Sequence, residues 1–157
     1  MAISNFERMI ALVEASFDTK NDPNQLDVNE EVIKRLFQIH PYSLIEKDDG
    51  EGPYIWIILI PTTNELMQLF LQNEITEAAL FEKTPIGTQY ESIYLCSAMT
   101  LEEYRNKGIT KQLCLEAIEN IRRNNPISSL FVWSFSKEGE SLAEKIALKT
   151  GLTLFKK

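Results

Sequence analysis

Three basic side chains crowd one short segment of an otherwise acidic chain. The 157 residues include 23 acidic and 16 basic side chains, which give a formal charge of -7 and a pI near 4.8. Arg105, Lys107 and Lys111 nevertheless fall within seven consecutive residues, together with Gly108 and Thr110. Guanidinium and ammonium groups hold phosphate through charge-assisted hydrogen bonds, and a hydroxyl adds a further donor. This composition predicts a site for a phosphate-bearing anion.

The predicted secondary structure places the segment between a strand and a helix. Residues 91–99 are rich in strand-forming residues, and the apolar spacing over 108–123 predicts a helix. The first turn of a helix has N–H groups without intrahelical partners and carries the positive end of the dipole, so it favours a bound anion. Gly108 lets the backbone come close to that anion. A plain turn with solvated charges around it would contain the same residues, and that alternative stays open.

Periodicity along the whole chain predicts an α/β (α+β) fold in a single domain, residues 1–157. The second half alternates strand and helix with short links, which implies right-handed crossovers and a sheet that is parallel in part. Segment 63–83 predicts either one long helix or two short ones. The predicted helices cover about 5–17, 28–37, 63–83, 108–123 and 140–149, and the predicted strands about 42–46, 54–60, 91–99, 128–135 and 152–155.

The basic segment resembles a known cofactor-binding loop. Arg105-x-x-Gly108-x-Thr110 follows the strand Tyr94–Met99 and leads into a helix, and in this order it resembles the acyl-CoA loop of the GNAT superfamily of N-acyltransferases. Further along, Ala143–Leu152 looks like the last helix of that family and its closing Gly-Phe pair, with leucine in place of phenylalanine. The resemblance covers about residues 91–157.

The resemblance implies an architecture. It is a three-layer arrangement with a mixed central β-sheet and helices on both faces. Residues 91–157 would form the acyl-CoA-binding half, and residues 1–90 a divergent half with a helical insertion at about 63–83. The implied activity is transfer of an acetyl group from acetyl-CoA, or of another acyl group from its acyl-CoA, to the amine of a small molecule or a protein.

The resemblance also implies roles for particular residues. The loop amides would hold the CoA pyrophosphate, flanking cations would hold further phosphate, and the main chain of the preceding strand would pair with the pantetheine arm. The implied cofactor-binding residues are Ala98, Met99, Thr100, Arg105, Asn106, Lys107, Gly108, Ile109, Thr110 and Lys111. The amine attacks the thioester carbonyl, whose oxygen is polarised by a strand amide, and an acid protonates the leaving thiolate.

Several positions depart from the family pattern. Thr110 replaces a glycine or alanine, Ala147 replaces the tyrosine that often serves as general acid, and Glu140 replaces an asparagine. Tyr94 stands where some members carry an acidic base; with an ordinary pKa of about 10 it is a candidate acid instead. The final strand of the usual fold is also missing. These departures favour a second hypothesis, a catalytically silent GNAT-like module that binds CoA or a protein partner.

Composition argues against other classes of function. The negative charge disfavours nucleic-acid binding, and the longest apolar run, Tyr54–Ile60, is far shorter than the roughly 18 residues of a membrane span, so we expect a cytoplasmic protein without membrane contacts. Cys96 and Cys114 lie in apolar stretches without metal-ligand spacing, which predicts inert thiols and no metal site. His40 precedes a proline at a helix end, where a capping role is expected. The oligomeric state is left open.

Overall fold

The computed structural model describes residues 4–20, 29–133 and 136–157, and for 14–20 it describes the backbone only. The helices are α1 (Asn5–Lys20), α2 (Glu30–Ile39), α3 (Asn64–Leu71), α4 (Glu77–Lys83), α5 (Ile109–Arg122) and α6 (Lys137–Thr150), with one 3₁₀ turn at Glu102–Tyr104. The strands are β1 (Leu44–Asp48), β2 (Pro53–Thr62), β3 (Ser92–Thr100), β4 (Ser129–Val132) and β5 (Thr153–Lys156).

The five strands form one mixed sheet in the order β1-β2-β3-β4-β5. The first two pairings are antiparallel, and the pairings of β3 with β4 and of β4 with β5 are parallel. The parallel pairs are joined by α5 and α6, as the alternating pattern of the second half predicts. The predicted α/β class with a mixed sheet is confirmed. Strand β2 is buried along nearly its whole length, as its continuous apolar run predicts.

Helices cover both faces of this sheet. Tyr94 and Phe131 stand opposite each other in the β3–β4 register, and Phe70 of α3 packs against both rings. On the other face, Thr100 of β3 is hydrogen-bonded to Thr110 of α5. Helix α6 contacts α5, so the two crossover helices share that face. The sheet therefore lies between α3 on one side and α5 and α6 on the other.

Segment 63–83 forms two helices rather than one. The Thr63 side chain accepts a hydrogen bond from the Leu66 N–H and begins α3, and the Thr76 side chain accepts one from the Ala79 N–H and begins α4. Between them Asn73 adopts a left-handed conformation with φ of 61°. Because that conformation ends helical hydrogen bonding, the long-helix alternative is wrong.

The pairing of β3 with β4 is short. The register joins Ser92–Tyr94 to Ser129–Phe131, whereas β3 itself continues to Thr100. The predicted strand over 128–135 is described to Val132, and its last two residues lie outside the described ranges. The described part of β3 thus extends six residues beyond its last partner in β4. In the described ranges, none of the helices has both the length and the hydropathy that crossing a bilayer requires.

Candidate functional site

The amide loop, residues 105–111, links the end of β3 to α5. Asn106 and Gly108 both adopt left-handed conformations, with φ of 62° and 76°. Gln112 is the first residue after the loop whose N–H is hydrogen-bonded, to the Gly108 carbonyl at 3.0 Å. Within the described ranges, the N–H groups of residues 106–111 have no hydrogen-bond partner. Six successive amides are therefore available to an anion, as the phosphate-site prediction requires.

The two left-handed residues explain why these amides stay unpartnered. A residue with positive φ reverses the local direction of the chain, so neighbouring N–H groups converge on one side and form a concave anion-binding turn. Asparagine tolerates this conformation better than other residues with a side chain, and glycine adopts it freely. A Cβ placed on Gly108 would meet no heavy atom within 4 Å, so the glycine leaves open space over the turn.

The three cations of the loop are held differently. The Arg105 side chain is exposed and its Nε donates a hydrogen bond to the Thr100 carbonyl at 2.8 Å. The Lys107 ammonium lies 5.9 Å from the centroid of the Tyr104 ring, at the outer limit of a cation–π contact. Lys111 is half-buried in the first turn of α5. Arg105 therefore has a structural task, and Lys107 and Lys111 carry the charge that a phosphate would meet.

Thr110 fastens the start of α5 to the sheet. Its hydroxyl lies 2.7 Å from the hydroxyl of Thr100, and one of these groups donates to the other. Only one hydrogen of the pair is left for a ligand. The threonine that departs from the family pattern therefore sets the distance between the end of β3 and the amide loop. Its predicted contact with phosphate stays a prediction.

The turn before the amide loop is anchored to the N-terminal half. The Tyr104 ring stacks on the Tyr54 ring with centroids 3.9 Å apart, and its hydroxyl donates to the Asp49 carboxylate. This hydrogen bond raises the pKa of Tyr104 to about 12 and lowers the pKa of Asp49. Arg8 of α1 donates two hydrogen bonds to Glu103, at 2.6 and 2.5 Å, and they lower the pKa of that carboxyl to about 2. The loop thus starts from a fixed position.

Beyond Tyr94, the edge of β3 that faces away from β2 has no partner strand among the described residues. This edge, called the free edge of β3, leads from the amide loop into the sheet. The Leu101 N–H donates to the Tyr54 carbonyl at 3.0 Å, so alternation along the strand turns the backbone groups of Met99 toward β2 and those of Ala98 and Thr100 toward the opposite edge. The Thr100 carbonyl is taken by Arg105. Of the three predicted pantetheine-binding residues, Ala98 is the one whose main chain best fits an added extended ligand.

Tyr94, the predicted acid, lies on the other face of the sheet and is 1% exposed. Its hydroxyl donates to Oε2 of Glu77, at the start of α4, over 2.5 Å. Burial, followed by the nearby Cys96 and Glu77, raises the pKa of Tyr94 well above its usual value. Tyr94 is therefore a neutral donor whose proton is already engaged by Glu77. It can influence a reaction by orienting this carboxylate.

Glu77 is the functional candidate that sequence reasoning missed. It is 2% exposed and lines a cavity of about 360 Å³ beside Trp133, which follows β4. The sequence around it shows only a Thr76 cap followed by an acidic first turn, a combination common to many helices. Its contact with Tyr94 depends on how α4 lies across the sheet. No local pattern could have indicated that placement.

The remaining candidates behave as structural residues. Burial raises the pKa of the Cys114 thiol to about 12, so this thiol is protonated, and neither Cys114 nor Cys96 forms a disulfide within the described residues. His40 ends α2, where its N–H bonds to the Leu36 carbonyl and its Nδ1 accepts from the Tyr42 N–H, which confirms the capping role. Among the described residues, no group of three or more potential ligand side chains could hold a metal ion.

Ala147 is buried in α6 with 9% exposure. Comparison with known proteins yields no match from family models, from curated proteins or from solved structures. Function is therefore inferred from the residues and geometry of the amide loop, the free edge of β3 and the Glu77 cavity.

Proposed function

We propose that the chain is an acyl-CoA-dependent N-acyltransferase in which the amide loop binds the CoA diphosphate. The run of six unpartnered amides at 106–111 carries this proposal. The diphosphate has oxygens enough to accept several of these N–H groups at once, and the dipole of α5 adds to the attraction. Lys107 and Lys111 supply positive charge in a chain of net charge -7.

The edge of β3 suits the rest of the same ligand. An extended pantetheine arm carries amide groups that pair with strand main chain, and the backbone groups of Ala98 face the edge that β4 does not cover in the described ranges. A ligand that starts at the amide loop, beyond the carboxyl end of β3, and follows this edge runs toward the carboxyl end of β4. In open α/β sheets this is the usual position of a binding crevice.

Glu77 is the base that fits the reaction. An ammonium group in the cavity first loses one proton to the Glu77 carboxylate. The nitrogen then bonds to the thioester carbonyl carbon, the C–S bond breaks, and the departing thiolate takes a second proton. The third hydrogen of the ammonium stays on the amide product. Tyr94, by donating to Oε2 of Glu77, acts as a positioning residue for that carboxylate.

Binding of acetyl-CoA is the first test. Ligand at about a hundred times its dissociation constant stabilises a binding protein by about 2.7 kcal/mol, which raises Tm by roughly 5 to 11 °C at this chain length. Lys107→Ala with Lys111→Ala should weaken binding about tenfold, because each exposed charge contributes up to about 1 kcal/mol. Lys34→Ala with Lys145→Ala removes the same charge from exposed sites on α2 and α6 and should change nothing. Equal effects of the two pairs, or no shift in Tm, would overturn the diphosphate assignment.

Release of CoA thiol in the presence of alkylamines is the second test. Ala147 has no proton to donate, and this observation favours the catalytically silent module as the second candidate function. A Tm shift without thiol release across alkylamines supports the module, and thiol release that Glu77→Gln abolishes while acetyl-CoA affinity stays unchanged supports the transferase.

A further inference from the structure

The Glu77 cavity has walls of a distinctive chemistry. Besides Glu77 it is lined by Glu74 and Trp133, by the polar side chains of Asn73 and Thr76, and by Lys157. It lies on the sheet face of Tyr94, at the carboxyl ends of β4 and β5. Two carboxylates and an indole in one cavity make a binding site for a cation rather than for an anion.

An ammonium group already sits against the aromatic wall. Nζ of Lys157 lies 4.1 Å from the centroid of the Phe70 ring and 4.7 Å from that of Trp133. The two rings meet nearly at right angles, at 81°, and form a corner that faces the ammonium. Phe70 is fully buried, so this wall is rigid. Such contacts attract an ammonium to the ring faces, and the attraction is stronger when water is excluded.

Neighbouring Lys156 shows that this placement is specific to one side chain. Successive residues of a strand point to opposite faces of the sheet. Lys156 therefore turns toward α6, where its ammonium pairs with Glu140 at 2.8 Å and Glu144 at 2.5 Å. Lys157 turns toward α3 and the cavity. Lys156 thus meets exposed carboxylates on the α6 side, whereas the ammonium of Lys157 lies against two aromatic rings on the α3 side.

We propose that the Glu77 cavity is a binding site for alkylammonium groups and that the Lys157 side chain is its intramolecular occupant. An external primary amine of similar chain length displaces Lys157 and places its nitrogen in the corner formed by Phe70 and Trp133, beside the carboxylates. As the acceptor site of the reaction, this inference rests on the proposed function. As a binding site it does not, because no acyl-CoA is needed to measure it.

The occupant lowers the apparent affinity for any competitor. When a site is vacant for only a fraction of the time, the apparent dissociation constant rises by the inverse of that fraction. A cavity vacant about one tenth of the time would gain roughly tenfold in affinity once the occupant is removed. Lys157→Ala should therefore bind n-butylammonium about ten times more tightly than the wild type.

Fluorescence titration with n-butylammonium chloride measures this effect. The chain has two tryptophans, and a Trp56→Phe background leaves Trp133, which lines the cavity, as the emitting residue. Lys156→Ala is the matched control, since it removes an adjacent charge that faces away from the cavity, and it should bind like the wild type. Butan-1-ol, which has the same chain length without the charge, should not compete.

A measurement on the unmutated side chain keeps the test independent of folding in the variants. Protons next to the Lys157 ammonium lie against two ring faces and should be shifted upfield in the NMR spectrum. Saturating n-butylammonium should return them toward the values of a solvated lysine. Equal affinity of the wild type and Lys157→Ala, or unshifted Lys157 protons, would refute the occupant role. The absence of saturable binding to Lys157→Ala, or equal competition by butan-1-ol, would refute the ammonium site while the acetyl-CoA tests keep their own result.

Discussion

The amide loop lies beyond the carboxyl end of β3 and the Glu77 cavity lies on the sheet face of Tyr94, and the two sites meet a ligand in opposite ways. The loop presents N–H groups of 106–111 that have no partner within the described ranges. In the cavity the polar groups are engaged: Tyr94 donates to Glu77, and the Lys157 ammonium rests against Phe70 and Trp133. The amide loop is therefore open to a ligand. The cavity is closed by contacts within the chain.

The two sites gain their selectivity in different ways. Backbone amides in a fixed turn lose little conformational freedom when an anion binds, so the loop selects by charge and shape. The cavity must exchange one cation for another, so a competitor gains only the difference between its own contacts and those of Lys157. Variants of the cavity should therefore change stability without changing acetyl-CoA affinity, whereas variants of the loop should change acetyl-CoA affinity.

The largest effect is expected from Tyr94→Phe in the cavity. The substitution keeps the ring stacked on Phe131, at 5.0 Å between centroids, and removes the hydroxyl that donates to buried Glu77. Loss of one hydrogen bond to a buried carboxylate costs about 1 to 3 kcal/mol, so the free energy of unfolding should fall by about this amount in urea denaturation. Acetyl-CoA affinity should not change.

Tyr54→Phe is the matched control for this change. Its ring is also buried in the sheet, and its hydroxyl makes no hydrogen bond within the described ranges. It should alter stability by less than Tyr94→Phe. If the two variants lose equal stability, the hydrogen bond to Glu77 is not what holds the cavity, and the contrast between the two sites fails on that side.

Gly108→Ala should lower stability less than Tyr94→Phe does, and it should also weaken acetyl-CoA binding. A side chain at φ of 76° costs about 1 to 2 kcal/mol, although the new Cβ meets no heavy atom within 4 Å. Gly87, with φ of 82° and equally open space, provides the control in Gly87→Ala. Both variants should lose similar stability on thermal melting, and Gly108→Ala alone should lose acetyl-CoA affinity in calorimetry. Equal affinity in both variants would separate the loop backbone from binding.

The smallest effect concerns the anchor of the amide loop and depends on pH. Arg8 lowers the pKa of Glu103 from its usual 4.5 to about 2. A carboxyl whose folded pKa is depressed contributes stability above its unfolded pKa and loses that contribution as the pH falls through the folded value. Glu103→Gln should therefore lower Tm slightly at pH 6 and leave it unchanged near pH 2, and added salt should reduce the difference because both side chains are accessible.

Glu102→Gln is the control for that titration, since the neighbouring carboxylate has no ion pair with Arg8. Its Tm relative to the wild type should not follow the same pH dependence. A Glu103→Gln difference that persists unchanged from pH 6 to pH 2 would show that Arg8 does not hold this carboxyl in the folded protein.

Most of the fold could be predicted because its signals are local. The apolar spacing of 108–123 matches α5, and the apolar run within 54–60 matches buried β2. Boundaries were less accurate: α6 begins at Lys137 rather than near 140, because Ser136 caps the helix by accepting from the Gly139 N–H. Gly139 in that first turn is a weak helix former and the turn has no apolar residue, so apolar periodicity alone predicts a later start.

The candidate site divides along the same line. Residues of the amide loop are contiguous, so their types and spacing predict an anion site from the sequence alone. The contacts of Thr110 with Thr100, of Glu77 with Tyr94 and of Lys157 with Phe70 join residues 10, 17 and 87 positions apart. Such contacts depend on helix placement and on which face a strand residue occupies, and a one-residue change in register would reverse the latter.

Asp49, in the turn between β1 and β2, accepts hydrogen bonds from Asn5 of α1 and from Tyr104 at the entrance to the amide loop. Three distant stretches of chain thus share one carboxylate, and movement of the Asp49 turn would break its hydrogen bonds to both of the others. Their amides should exchange with deuterium at a common rate, as a single cooperative opening unit. An anion bound at residues 106–111 would then slow exchange in the first turn of α1, far from any atom that it touches.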